Sequence, residues 1–241
     1  METRLGTLYG IGVGPGDPEL ITQKAVRLLG QVDVVFTASS TKNRYSLALD
    51  IARPHIPETT PVVRLGFPMT ADRGLLTRAW RENAETILGR LVRGLCAAYI
   101  TVGDSLTYST FGYVIRSLKG LCPEVAVETV PGITAFQAAS ARINQVLVEG
   151  EESLWITSGA KGGQRLREIR PKPENIVFLK AYRNMDDIVS ALNEDGRGDT
   201  SVVVSRCGRR QERVLHGLDH LDGHCADYWT LVLSKRKTRG A

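Results

Sequence analysis

The 241-residue chain lacks several signatures from which function is usually read. No stretch approaches the ~18 continuous apolar residues expected of a membrane-spanning helix. Met1 to Gly6 hold no apolar signal core. Cysteine is scarce: Cys96, Cys122, Cys207 and Cys225 lie far apart and form no CxxC pair. That argues against a zinc knuckle or disulfide framework, and for reduced thiols in a cytoplasmic protein. There is no GxxxxGKS/T loop and no GxSxG elbow, so nucleoside triphosphatase and serine hydrolase chemistry have no support. Heptads, internal repeats and low-complexity tracts are absent too. Aromatic residues make up only 6% of the chain, and the basic residues behind its +5 net charge are scattered, not interleaved with them. A nucleic-acid partner is therefore not expected, whereas a polyanionic small substrate is compatible with the charge.

What the chain does have is alternation. Short apolar runs at residues 5–11, 32–38, 62–67, 97–102 and 125–130 are separated by helical patterns at 18–29, 46–52, 72–91, 111–118 and from the 131–134 turn to Arg142. This is the rhythm of an α/β protein with parallel sheets. Further strands are expected at 154–157 and 176–182, with a helix from Asn184 to Leu192. After a soft linker at 193–200, strands at 201–206, 213–216 and 229–234 follow without long helices between them, which predicts a second sheet with an antiparallel tail. A boundary near the Gly120–Pro123 turn divides the chain into residues 1–121 and 122–241.

Three glycine-bearing turns follow apolar strands, at residues 10–17, 103–110 and 131–135. In an open α/β sheet, turns at strand carboxyl ends face the ligand crevice. The first, GIGVGPGDPEL from Gly10, looks like a phosphate loop, but its chemistry opposes one. Asp17 and Glu19 bring negative charge, and Pro15 and Pro18 remove amide donors. Asp17 reads as an N-cap with Pro18 at the first helical position. In the second turn, Asp104 lies too far upstream to cap the helix at Phe111, a role that suits Ser109 or Thr110, so Asp104 becomes a candidate functional carboxylate. His216, His220 and His224 recur every four residues, as metal ligands on a helix would, but Gly217 and Gly223 break that helix and no metal site is expected.

The motifs YGIGVGPGDPEL (Tyr9 to Leu20), GDSLTYST (Gly103 to Thr110) and VPGITA (Val130 to Ala135) resemble those of the tetrapyrrole methyltransferases of cobalamin synthesis. The resemblance runs from Leu8 to about Ser234. Phe67 to Thr70, Ala79-Trp80, Glu149-Gly150 and Asp227 to Thr230 resemble the subgroup that methylates C20 of precorrin-2 or cobalt-factor II. The resemblance implies two αβα domains with S-adenosylmethionine in the cleft between them, usually as a homodimer. It implies that the first loop (Gly14, Pro15, Asp17), with Ser105 and Tyr108, borders the substrate. Tyr9, Gly103, Asp104, Leu106, Thr134, Ala135, Tyr182, Arg183, Cys207, Gly208 and Thr230 are implied on the cofactor side. Many relatives carry Pro after the Gly-Asp pair where this chain has Ser105, whose hydroxyl is expected to reach a substrate carboxylate.

A sulfonium cation without phosphate suits an acidic glycine loop. Methyl transfer to an electron-rich meso carbon requires in-line alignment more than a strong base. Asp104 is expected to position the cofactor, and Tyr108 or a water to take the proton. Arg44, Arg64 and Arg78 are candidates for pairing with substrate carboxylates. Three other readings remain: a nicotinamide oxidoreductase with Asp33 as the ribose acid, a non-catalytic tetrapyrrole carrier, and a methyltransferase acting on another corrin carbon, a diphthamide precursor or ribosomal RNA.

Overall fold

The structure, a computed structural model, describes residues 5–40, 45–218, 221 and 226–236. The chain divides into two compact units, Met1–Thr134 and Ala135–Ala241.

The first unit is built on a five-stranded parallel sheet in the order β3-β2-β4-β1-β5. Its strands are β1 (Thr7–Gly12), β2 (Val34–Ser40), β3 (Val62–Phe67), β4 (Ala97–Thr101) and β5 (Ala126–Val130). β4 lies at the centre, and β1 is next to the edge, pairing with β4 on one side and the edge strand β5 on the other. The helices are α1 (Gln23–Leu29), α2 (Leu47–Ala52), α3 (Arg73–Leu91) and α4 (Phe111–Leu121). On one face Leu8, Phe36 and Tyr99 pack with Ile87 and Leu91 of α3 and Phe111, Val114 and Leu118 of α4. α1 and α2 pack on β1 and β4. Strands covered on both faces read as continuous apolar runs, and β4 is buried along its whole length.

Local chemistry sets the helix starts. Asp72 accepts from the amides of Gly74 and Leu75 at the head of α3, and Ser46 from Leu49 at the head of α2. The helix expected over 18–29 is divided. A single 3-10 turn, Pro18–Leu20, is capped by Asp17 as anticipated; Ile21 is then extended, and Thr22 caps α1 afresh. A second capping residue four positions into an apolar pattern gave the backbone an alternative to continuing the helix.

The boundary expected after residue 121 is displaced. β5 adds to the edge of the first sheet by pairing with β1, so the first unit runs through the turn that follows it, to Thr134. Gly120–Pro123 is only the connection from α4 to β5.

The second unit carries α5 (Ala135–Ile143), β6 (Leu154–Ser158), α6 (Gln164–Glu168), β7 (Asn175–Leu179), α7 (Met185–Glu194), β8 (Ser201–Ser205), β9 (Arg213–His216) and β10 (Thr230–Lys235). The sheet order is β6-β7-β10-β8-β9. β6 and β7 are parallel, whereas β10 runs antiparallel to both β7 and β8, and β9 antiparallel to β8. The mixed sheet is thus the antiparallel-tailed one that the missing helices foretold. Leu166 of α6 and Ile188, Ala191 and Leu192 of α7 cover Ile176, Phe178, Val203 and Val232.

Two features of this unit were not legible in sequence. α6 hides behind Gly162-Gly163; a Cβ on Gly163 would overlap Ala191, so α6 lies close against α7 only because the residue is glycine. The soft linker at 193–200 is not soft. Arg197 is fully buried. Its Nε donates to Asp195 at 2.6 Å, its Nη1 to the Glu174 carbonyl at 2.7 Å and its Nη2 to the Pro173 carbonyl. Removing the guanidinium leaves the Glu174 and Pro173 carbonyls without their donor, and leaves the Asp195 carboxylate, 14% exposed, with only Lys172 at 3.7 Å. Arg197→Met is therefore expected to destabilise the protein by about 3–5 kcal/mol, read as a lowered urea midpoint with an unchanged m-value.

Candidate functional site

β4, β1 and β5 are adjacent parallel strands, and each ends in one of the three glycine turns. The turns therefore emerge side by side at one edge, and they touch through backbone. Val13 N donates to Thr101 O at 2.9 Å. Gly14 and Gly103 then exchange both of their backbone bonds, at 2.7 and 3.3 Å. A Cβ on Gly12 would lie 2.6 Å from Gly103 O and 2.7 Å from Gly132 N, and one on Gly132 would overlap Gly103 O. Gly14 (φ 83°) and Gly103 (φ 70°) are left-handed. Three chain segments meet where no side chain fits.

Asp104 ties the second turn to the third. Its Oδ1 accepts from Leu106 N at 2.9 Å and from Thr107 Oγ1 at 3.0 Å, and its Oδ2 accepts from Gly132 N at 3.2 Å. The carboxylate that could not be a helix cap is a strut between turns. Beyond it the chain rises to the surface. Leu106 is 61% exposed and Tyr108 49% exposed. Tyr108 has a left-handed backbone (φ 51°), a conformation that non-glycine residues hold only where surrounding contacts enforce it. Ser109 Oγ accepts from Phe111 N at 3.1 Å, whereas the Thr110 hydroxyl pairs with Tyr99 Oη at 2.7 Å. Burial pushes the Tyr99 phenol well above its ordinary range, so it stays protonated within the core.

Several expected site residues lie deeper than the resemblance implied. Ser105 is fully buried and its hydroxyl accepts from Thr101 Oγ1 at 3.3 Å, which removes it from the substrate-facing role expected of it. Gly14 and Pro15 are buried, and Gly14 spends both its amide and its carbonyl on Gly103. The Asp17 carboxylate is the cap of the 3-10 turn, accepting from Glu19 N at 2.9 Å. Tyr9 is half-buried in mid-strand, opposite Ala98 and Glu128. Thr134 ends the third turn, and Ala135 begins α5.

In the second unit the expected residues gather at one end of the sheet, where β10 begins beside the ends of β7 and β8. Ala181 N donates to Thr230 O at 2.9 Å, and Arg206 N to Trp229 O at 3.2 Å. Thr230 itself is buried. Its hydroxyl pairs with Ser205 Oγ at 2.7 Å and accepts from Asp227 N at 3.0 Å, so it braces the turn from beneath and offers no surface contact. Above it stand aromatic rings and cations. Tyr182, Tyr228 and Trp229 meet edge to face, with Arg183 over Tyr182, Lys180 over Tyr228 and Arg209 over Trp229. Lys180 and Arg209 were not singled out in sequence, and Tyr228 and Trp229 only as part of the Asp227 to Thr230 segment, because only the meeting of three strand ends makes the four neighbours. Cys207 is buried; burial first, then the Glu212 carboxylate, push its thiol up to about 11. It is a protonated packing group at neutral pH, not a nucleophile.

Arg64 on β3 and Arg78 on α3 are exposed; Arg44, His220 and His224 lie outside the described residues, and His216 is exposed on β9. Among the described residues no three His, Cys, Asp or Glu side chains are grouped to hold a metal ion. No described helix is long and apolar enough to cross a membrane.

The contact between turns makes a direct prediction. Gly132→Ala forces a methyl onto Gly103 O and is expected to cost about 1–3 kcal/mol, the range for overpacking. Gly89→Ala, in α3 with open space around it, is the control and should stabilise by roughly 0.5–1 kcal/mol. Thermal melting of the two variants reads both.

The profile of the tetrapyrrole (corrin/porphyrin) methylases matches residues 7–219. The chain is 34% identical over 242 residues to a probable cobalt-precorrin-2 C(20)-methyltransferase of Methanocaldococcus jannaschii, covering 99% of this chain and 100% of that one. It is 30% identical over 235 residues to the cobalt-precorrin-2 C(20)-methyltransferase of Salmonella typhimurium, covering 96% and 97%. It is 30% identical over 240 residues to a precorrin-2 C(20)-methyltransferase of Sinorhizobium, covering 95% of each. Among solved structures, a cobalt precorrin-4 methyltransferase superposes with a TM-score of 0.73 at 23% identity, covering 95% of this chain and 94% of that one. The Thermus thermophilus uroporphyrin-III C-methyl transferase complexed with S-adenosylhomocysteine superposes at 0.70 and 23%, covering 95% and 92%. At that identity the solved structures speak for the fold, while the profile and the near full-length relatives speak for descent. The glycine turns packed at the ends of β4, β1 and β5 lie within the matched residues, and the chain belongs to the tetrapyrrole (corrin/porphyrin) methylases.

Proposed function

We propose that this protein transfers the methyl group of S-adenosylmethionine to C20 of precorrin-2 or cobalt-factor II in cobalamin biosynthesis. The observation that carries this reading is the set of near full-length relatives, 30–34% identical, whose names specify that carbon. The residues present suit such a donor. S-adenosylmethionine bears a sulfonium and no phosphate; the turns carry the Asp104 and Asp17 carboxylates and, among residues 103–110, no lysine or arginine.

When bound, S-adenosylmethionine supplies a methyl group on a cationic sulfur that leaves as a neutral thioether. The chain's residues do the rest. Asp104 fixes the 103–107 turn and the Gly132 amide relative to each other, which orients Gly103, Leu106 and Thr134 on the methionine and ribose side. Tyr182, Arg183, Cys207 and Gly208 border the adenine, with Thr230 bracing them. Leu106, large and exposed, offers apolar surface on the methionine and ribose side. C20 gains the methyl and gives up its proton, and Tyr108 Oη, on an exposed residue fixed in a left-handed turn, passes that proton to solvent. Gly14, Pro15 and Asp17 shape the substrate side through the loop they hold. Because no strong base is required, the main contribution of the protein is alignment.

A homodimer belongs to the same reading. Met69 (62% exposed), Leu75 (49%) and Tyr113 (37%), the last stacked on Trp80 at 4.3 Å, offer apolar surface for it. A cytoplasmic location also belongs to this reading, in keeping with the free thiols of Cys96, Cys122 and Cys207.

The test is an anaerobic assay with S-adenosylmethionine and precorrin-2, with and without inserted cobalt, scored by product mass and methyl position. One methyl at C20 is expected, and the faster of the two substrates identifies the route. A methyl at another carbon, or none with either substrate, overturns the reading. Asp104→Ala is expected to lower kcat/KM at least tenfold, about 1.4 kcal/mol. Asp104→Asn keeps an acceptor for Leu106 and Thr107 but turns a donor toward Gly132 N, so its loss should fall between wild type and Ala. Equal rates for all three would remove Asp104 from the alignment. Tyr108→Phe should lower kcat with little change in KM for either substrate if its hydroxyl carries the proton.

A further inference from the structure

The connection between β8 and β9 runs over residues 206–212, longer than a chain reversal needs. It contains two left-handed residues, Arg206 (φ 53°) and Gly208 (φ 72°). A non-glycine residue holds such a backbone only when its surroundings over-determine it. Here the loop is clamped from both flanks. On one flank Arg206 pairs with Asp227, whose backbone and carboxylate form the turn beneath Trp229 and Thr230. On the other flank stands Glu212, with a side chain only 15% exposed. Its Oε2 accepts from Gly208 N at 2.7 Å, its Oε1 accepts from Arg142 Nε in the last turn of α5, and the Cys207 thiol bonds to the same carboxylate. One carboxylate therefore serves an amide, a guanidinium and a thiol. Partial burial works against its ionisation, but the Gly208 amide and Arg142 outweigh that and hold it below the usual glutamate range. It is charged at neutral pH, and a charged acceptor holds the part-buried Gly208 amide more strongly than a neutral one.

We propose that Glu212 is a positioning residue for cofactor binding: it fixes the Cys207-Gly208 turn and, through Arg142, anchors that turn to α5. The proposal rests on the reading of Cys207 and Gly208 as adenine-side residues. The anchored helix begins at Ala135, itself expected on the cofactor side, so one side chain sets the position of two elements that meet the same ligand. Neither the Gly-Asp turn nor Tyr108 lies in this unit, so the role predicts an effect on cofactor affinity and not on the chemical step.

The experiment measures S-adenosylhomocysteine binding by calorimetry, and KM and kcat for S-adenosylmethionine, on the full chain. Glu212→Ala is expected to weaken binding and raise KM about tenfold while kcat stays within about twofold. Glu212→Gln retains a carbonyl for Gly208 N and should recover most of that loss, whereas Arg142→Ala should reproduce a part of it. Loss of the carboxylate also removes the second cause, after burial, that holds the Cys207 thiol up, so alkylation at Cys207, followed by peptide mass, should quicken in both Glu212 variants. Wild-type affinity in both Glu212 variants overturns the proposal, as does a fall in kcat at unchanged KM. If Glu212→Ala does not fold, Arg142→Ala decides: weaker binding at unchanged kcat supports the role, and wild-type affinity overturns it. A wild-type protein that binds no S-adenosylhomocysteine overturns the cofactor reading itself, whereas binding that is indifferent to these substitutions overturns only the role of Glu212.

Discussion

Gly12 and Gly132, from two separate turns, close on each other and on the Gly103 carbonyl of a third, in a space where neither can carry a Cβ. Around that contact the parallel sheet of the first unit is arranged. β1 sits between β4 and β5, and the two backbone bonds between Gly14 and Gly103 and the Asp104 bond to Gly132 N join the ends of all three strands. A turn held by backbone contact cannot drift by a side-chain rotamer, and alignment of a methyl donor with a carbon acceptor tolerates little drift. The same glycines that look like a phosphate loop in sequence serve close packing here, and the amide that a phosphate would need at Gly14 is bonded to Gly103.

The second unit reaches comparable order by other means. Its strands end in polar turns, and these are fixed by charge: Asp227 against Arg206, and Glu212 against Gly208 N and Arg142. At the far end of the same sheet, the fully buried Arg197 satisfies two carbonyls and Asp195. Such groups contribute less to net stability than apolar packing would, because burying charge costs solvation. What the Arg197 network provides is a single arrangement of the 193–200 connection, since an alternative leaves a buried guanidinium unpaired.

Much of the fold was legible in residue patterns. β3 begins and ends where the apolar run does, and Asp72 and Ser46 head their helices as capping residues should. The alternation of strand and helix in the first 130 residues, and its loss after residue 200, distinguished a parallel sheet from a mixed one. Patterns failed where a partner distant in sequence decides. β5 resembles the start of a new half until its pairing with β1 is known, α6 is concealed by the two glycines that let it approach α7, and Arg197 in a polar stretch gives no sign of being buried.

The candidate site divides in the same way. The motifs at 9–20, 103–110 and 130–135 fixed the family and the three turns, because a backbone that needs left-handed residues and close approach leaves glycine in the sequence regardless of what surrounds it. Which side chains of those turns meet solvent was decided by tertiary structure alone. Ser105 and Thr230 carry hydroxyls that suit a ligand, and both are turned inward to pair with Thr101 and Ser205. Glu212 carries no motif, yet it closes a loop of the second unit. Local sequence records what the backbone must do at a position; the direction of a polar side chain depends on which buried donors and acceptors the folded chain brings beside it.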